Sequence, residues 1–337
     1  MILNNEVEGM SDEFKDNIGE RLILDFNTSS PITSYNYTSF IGGVMFAHNM
    51  NMYPYYLSNH ILLLSNKHFD VSCDDMIMFE DKNVFQIKKI KRDILAAKAI
   101  KEDIIEKLNN GYYASVTVDE FYIPNRYFYK KMSFYHDMLI YGYDLSENVF
   151  FTAAYDLSGY FNTMKCSIDI VAASISKCLN ERKTKPHFHY YKCKNNPVSF
   201  DIAGVKSKLE KYISSEPIAK IKYNGKYGLS AYDGLIRNYR YACENNTYWR
   251  KASFNMLYEH KKLMLDRVNY INSNHYEIDS CLIDKFAYIL KASKIIQATS
   301  LKYEITRKES VMMNIIAKIE EMAEIEKKSI EELLRVI

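Results

Sequence analysis

Between Tyr35 and Asn49 the apolar residues Phe40, Val44 and Ala47 recur at i, i+4 and i+7, one face of a helix, and Ser34 stands ahead of them as an N-cap. Asn83–Ile90 reads as a strand that enters a basic run, Lys88-Lys89-Ile90-Lys91-Arg92. Ile94–Leu108 is amphipathic and stops at Asn109-Asn110-Gly111, the chemistry of a helix C-terminus. Tyr113–Val118 then alternates as a strand. Tyr135–Tyr143 and Asn148–Tyr155 are β-branched and aromatic runs separated by Asp144-Leu145-Ser146-Glu147, which predicts an antiparallel hairpin. Ser167–Leu179 has helical spacing, and HFHYYKC after Pro186 reads as one more strand. From Pro197 onward helices are predicted over about 201–214, 229–243, 246–272, 276–299 and 305–335. The fold class expected is therefore α+β: an antiparallel-sheet domain over 1–195 and a helical region over 196–337.

Composition narrows the function classes. Forty-four Lys and Arg against 42 Asp and Glu leave a net charge of +2 over 337 residues, so no overall field marks a nucleic-acid binder. Eleven glycines are about half of ordinary usage, and no GxGxxG, P-loop or HExxH occurs, which argues against phosphate loops and zinc-protease chemistry. Six cysteines lie scattered without a CxxC pair, against a zinc site or a disulfide framework. No basic-then-apolar leader and no run of about 18 apolar residues is present, so the expectation is a cytoplasmic protein without a membrane partner.

The hairpin carries the candidate chemistry. With the turn centred on Ser146, opposed residues have numbers that sum to 292, which sets His136 across from Asp156 at the open end. An imidazole facing a carboxylate is held in one tautomer and kept basic; a surface His–Asp pair of little consequence is the alternative. A one-residue slip would turn one of the two to the opposite face. His187 and His189 alternate on the last strand and share a face, but lack a third ligand for a metal. Lys88, Lys89, Lys91 and Arg92 could meet a phosphate, or form a solvated strand end.

Val118-Asp119-Glu120-Phe121-Tyr122-Ile123-Pro124, then Tyr135-His136-Asp137-Met138-Leu139-Ile140-Tyr141-Gly142-Tyr143-Asp144, then Tyr155-Asp156, resembles a papain-like family. That family is typified by the N-terminal domain of the butirosin-biosynthesis acyltransferase. The resemblance covers roughly residues 20–185. It implies a papain-like N-terminal domain in carrier-dependent natural-product biosynthesis, with His136 and Asp156 catalytic. The partner implied is an acyl or peptidyl carrier protein, whose phosphopantetheine arm is substrate, with no tightly bound cofactor; Lys88, Lys89, Lys91 and Arg92 could meet that arm. The family's nucleophilic cysteine corresponds to Asn36 in Asn36-Tyr37-Thr38-Ser39-Phe40-Ile41, and no cysteine precedes Cys73. Three readings stay open. The chain is an inactive scaffold that binds a carrier protein; or Ser34, Thr38 or Ser39 replaces the cysteine; or His136 activates an amine that attacks the thioester directly, with Asn36 donating to the oxyanion.

Overall fold

A computed structural model describes residues 19–48, 52–66, 71–73, 82, 84–89, 97–181, 187–194, 196, 198–217, 225–245 and 251–337. The elements in chain order begin with β1 (Arg21–Ile23), α1 (Asn36–His48), α2 (Met52–Leu57), β2 (Leu63–Asn66), β3 (Val71–Cys73) and β4 (Phe85–Lys89). They continue with α3 (Ala97–Asn109), β5 (Tyr113–Asp119), β6 (Tyr135–Asp144), β7 (Val149–Tyr155), β8 (Phe161–Ser167), α4 (Ile168–Asn180) and β9 (Phe188–Cys193). The rest are α5 (Ile202–Ser214), β10 (Gly225–Tyr227), α6 (Ala231–Glu244), α7 (Lys251–Asn274), α8 (Ser280–Thr306) and α9 (Glu309–Val336). The chain divides into one unit of Met1–Asn49 with Glu80–Asn196 and another of Met50–Phe79 with Pro197–Ile337. The segment 50–79, N-terminal to the boundary expected near 195, thus belongs with the helical region.

The first unit is built on an antiparallel sheet in the order β4-β9-β5-β6-β7-β8, with β1 added along β6. One face buries Ala114, Val116 and Val118 of β5 and Met138 and Ile140 of β6 against Ile100, Ile104, Ile105 and Leu108 of α3 and Ile168, Val171 and Ile175 of α4. Burying each of the larger of these side chains contributes roughly 1.5–3 kcal/mol. The α3 terminus follows its sequence signal: Gly111 takes a φ of +77° and its N–H bonds Leu108 O at 2.8 Å. α1 lies on the opposite face, where His48 Nε2 meets the Tyr113 hydroxyl at 2.9 Å.

The β6–β7 register positions the site. Leu139↔Ala153 and Ile140↔Thr152 keep the expected sum of 292, whereas Gly142↔Phe151 and Asp144↔Val149 are offset by one. The extra residue is Tyr141, a bulge at which β1 also joins, Leu24 N–H bonding Tyr141 O at 2.8 Å. Gly142 is required there, since a Cβ would stand 2.6 Å from Leu22 O and 2.9 Å from Ile23 Cα. Gly142→Ala is expected to force β1 off the sheet and to destabilise the protein by about 1–3 kcal/mol, read as a lower urea midpoint. Beyond Leu139↔Ala153 the described ladder ends, although β6 runs on to Tyr135 beside β5 and β7 runs on to Tyr155 beside β8. The two strands therefore part at the end that holds His136.

The second unit joins a three-stranded antiparallel sheet, β10-β2-β3, to α2 and α5–α9. The predicted helices appear with ends moved by a few residues; α8 and α9 are separated only by Arg307 and Lys308, with Arg307 left-handed at φ 52°. Lys261 of α7 and Glu326 of α9 are both fully buried, with Tyr212, Tyr232 and His260 around them. Among the described residues no helix is long and apolar enough to cross a membrane.

Candidate active site

α1 begins at Asn36, which is buried at 4 % exposure, where β6 and β7 separate. Thr117 turns its backbone N–H to His187 O at 3.0 Å on the β9 side. Asp137, paired with Thr117, therefore turns its carbonyl the other way, to the side β7 has left. Asn36 Nδ2 donates to that carbonyl at 2.9 Å, which fixes the amide orientation. Its Oδ1 is buried with no hydrogen-bond partner among the described residues. The engaged atom is thus the donor expected to serve an oxyanion, and the orphan is an acceptor.

His136 sits beside that contact at the start of β6. Its Nδ1 lies 2.7 Å from Glu120 Oε1 and 3.1 Å from Arg126 Nη2. The guanidinium is itself a donor, so the shorter contact assigns the Nδ1 proton to the carboxylate and leaves Nε2 with its lone pair. Glu120 and Arg126 are 3 % and 0 % exposed, and Arg126 Nε and Nη2 both donate to Glu120 Oε1. Burial alone would raise the Glu120 carboxyl, but the His136 hydrogen bond and the Arg126 charge outweigh it and hold it below the usual carboxylate range. The His136 ring stands edge-on to Phe134 at 5.5 Å and stacks with Tyr155 at 6.0 Å, while the Tyr155 hydroxyl bonds Thr33 O ahead of α1. The result is an oriented, half-exposed imidazole backed by a buried ion pair.

Asp156 is not the partner of His136. Its Oδ1 accepts from Ser158 N at 2.8 Å and Tyr160 N at 3.1 Å, closing the β7–β8 turn. The predicted sum of 292 holds near Leu139, but the strands part before it can bring residue 156 to residue 136. Glu120 takes the place instead, because the end of β5 lies beside the start of β6, with Val118 opposite His136 and Glu120 N–H on Phe134 O.

The basic run does not converge on this point. Lys88 lies on β4, three strands from β6 or roughly 14 Å across the sheet. It is level with Ile140, and so roughly 13 Å along the strands from His136. Its Nζ sits 4.6 Å over the Tyr112 ring. Lys89 is placed by its backbone opposite His189 in β4, and Lys91 and Arg92 lie outside the described residues. Of the hydroxyls near Asn36, Thr38 and Ser39 both donate to Tyr35 O, at 2.8 and 2.9 Å, as N-terminal helix bonds. Cys73 belongs to β3 of the other unit.

Neither Glu120 nor Arg126 stands out in the sequence. Glu120 could have been found by pairing the Tyr113–Val118 strand with the hairpin, because residues summing to 254 then face each other and Glu120 falls beside Phe134. Arg126 reaches back from a turn-rich segment and has no periodic signal. No protein-family model matches the chain, and no curated protein matches it.

Proposed function

We propose that this protein transfers an acyl or aminoacyl group from a carrier-protein thioester to an amine in natural-product biosynthesis, with His136 as general base. The observation that carries the reading is the 2.7 Å contact between His136 Nδ1 and the buried, Arg126-bound Glu120. A thioester is already activated, so a base that takes the proton of an incoming amine suffices for transfer without a covalent intermediate. Glu120 takes the orienting role expected of Asp156, and it steadies the imidazolium that forms. The papain-like resemblance supplies the substrate class, the phosphopantetheine arm of an acyl or peptidyl carrier protein. Asn36 in the cysteine position favours the second reading, a carrier-binding scaffold without turnover, because its Nδ2 is spent on a backbone carbonyl.

Turnover of an acyl-loaded carrier protein with a panel of amines decides between them. His136→Gln is expected to lower kcat/KM by about 10²–10⁴-fold with the carrier still bound. Equal turnover in wild type and variant would remove His136 from the mechanism. Carrier binding with no turnover in wild type would establish the scaffold.

A further inference from the structure

The sheet face covered by α1 holds a second relay that the His136 reading does not use. Ser115 of β5 is 2 % exposed, and its Oγ lies 2.9 Å from His187 Nε2. His187 Nδ1 lies 3.1 Å from Asp137 Oδ1. Thr117 stands between them: its hydroxyl lies 3.0 Å from Asp137 Oδ1 and accepts the His187 backbone N–H at 3.0 Å. These bonds settle every proton. The single Thr117 hydroxyl proton goes to Asp137, since its distance to His187 Nδ1 is 3.4 Å. Nδ1 must then carry its own proton toward Asp137, and Nε2 is left to accept from the Ser115 hydroxyl. Hydroxyl, imidazole and carboxylate follow one another in the order and spacing of an activated serine, and the carboxylate is itself held by a hydroxyl.

We propose that Ser115 is a nucleophile toward activated acyl esters and thioesters, with His187 as its base and Asp137 as the group that orients His187. Ser115 Oγ forms a bond to the acyl carbon as its proton passes to His187 Nε2. The carbon–oxygen or carbon–sulfur bond of the substrate breaks, and the leaving alcohol or thiol takes the proton from His187. Water then attacks the acyl-serine, giving its proton to His187, and the carboxylic acid departs as Ser115 recovers its own. The His187 and Asp137 side chains are 28 % and 30 % exposed, so the relay opens to solvent on their side, while Ser115 itself lies beneath them. Burial lowers the His187 pKa from its ordinary value more than Asp137 raises it, which keeps the ring neutral and able to accept a proton at neutral pH. The His189 ring is 5.3 Å from that of His187, and its Nδ1 contacts the Tyr191 hydroxyl at 3.1 Å.

Acylation of Ser115 is independent of the role of His136, because it needs neither amine nor carrier protein. The full chain is incubated with diisopropyl fluorophosphate, and adducts are mapped by peptide mass. One adduct per chain on Ser115 is expected, forming at a rate that is flat from pH 7 to 8 and falls in acid. Ser115→Ala should abolish it, and His187→Gln should slow it at least a hundredfold while the far-ultraviolet circular dichroism stays that of wild type. Ser158→Ala, on the exposed β7–β8 turn, should label at the wild-type rate. Absence of a Ser115 adduct in the folded wild-type chain, or labelling of His187→Gln at the wild-type rate, would overturn the proposal.

Discussion

Lys261→Met is expected to lower the stability of the helical unit by about 3–5 kcal/mol, because it strands a carboxylate in the core. Lys261 Nζ donates to Glu326 at 2.7 and 2.9 Å, to the Tyr212 hydroxyl at 3.1 Å and to His260 Nδ1 at 3.0 Å, so its three protons are all used. His260 can accept there because its Nε2 proton is committed to Ile61 O at 2.7 Å. Burial and the neighbouring Lys261 charge hold that imidazole well below its ordinary pKa, consistent with a neutral acceptor. Tyr212 and Tyr232 donate to Glu326 Oε2, so the carboxylate keeps two hydroxyl partners when the ammonium is removed, but no charge. Adding Glu326→Gln to Lys261→Met leaves an acceptor for the two tyrosines and removes the unpaired charge. Most of the lost stability should then return, and urea midpoints of the two single variants and the double variant read the difference. A double variant no more stable than Lys261→Met would mean that packing, not the stranded charge, sets the loss.

The legible parts of the fold were those whose signal is local. The α5–α9 helices show in apolar spacing alone, and the β6–β7 hairpin in alternation around Asp144–Glu147. The register held over Leu139 and Ile140 because a buried face specifies it. What failed depends on contacts distant in sequence. The Tyr141 bulge answers to β1, more than a hundred residues earlier, and β1 itself is only three residues long. β8 is an outer strand with Asn162, Thr163 and Lys165 exposed, so its composition reads as loop. Residues 63–66 and 71–73 form strands through pairing with each other and with β10, about 160 residues further on. At the site, His136 and Asn36 are visible as residues, but the carboxylate that orients His136 is not. A residue that orients another is chosen by where a strand ends, and strand ends are the least local feature of a sheet.

Arg126→Met tests that corrected carboxylate. Arg126 is fully buried, and Glu120, beside it, is almost so; with the guanidinium gone, His136 alone among the described residues pairs with the carboxylate. Removing one partner of a buried pair costs about 3–5 kcal/mol, and the expected loss at neutral pH lies in that range. The pH dependence carries the diagnosis. In wild type the Glu120 pKa is depressed, so this carboxylate contributes stability that is fully present above its unfolded value of roughly 4.3 and is lost as pH falls through the folded value. Without Arg126, burial pushes the carboxyl up, and its charged form becomes a burden that protonation relieves. The stability difference between wild type and Arg126→Met should therefore be largest at pH 7 and narrow toward pH 4, measured as paired urea midpoints. Arg126→Met with Glu120→Gln should show a smaller, pH-independent difference. On the proposed general-base role, it should also weaken the effect of His136→Gln on turnover, because a neutral amide draws the Nδ1 proton less strongly than a carboxylate does. A stability gap that stays constant with pH would show that Arg126 holds the loop by packing and not by its charge pairing with Glu120.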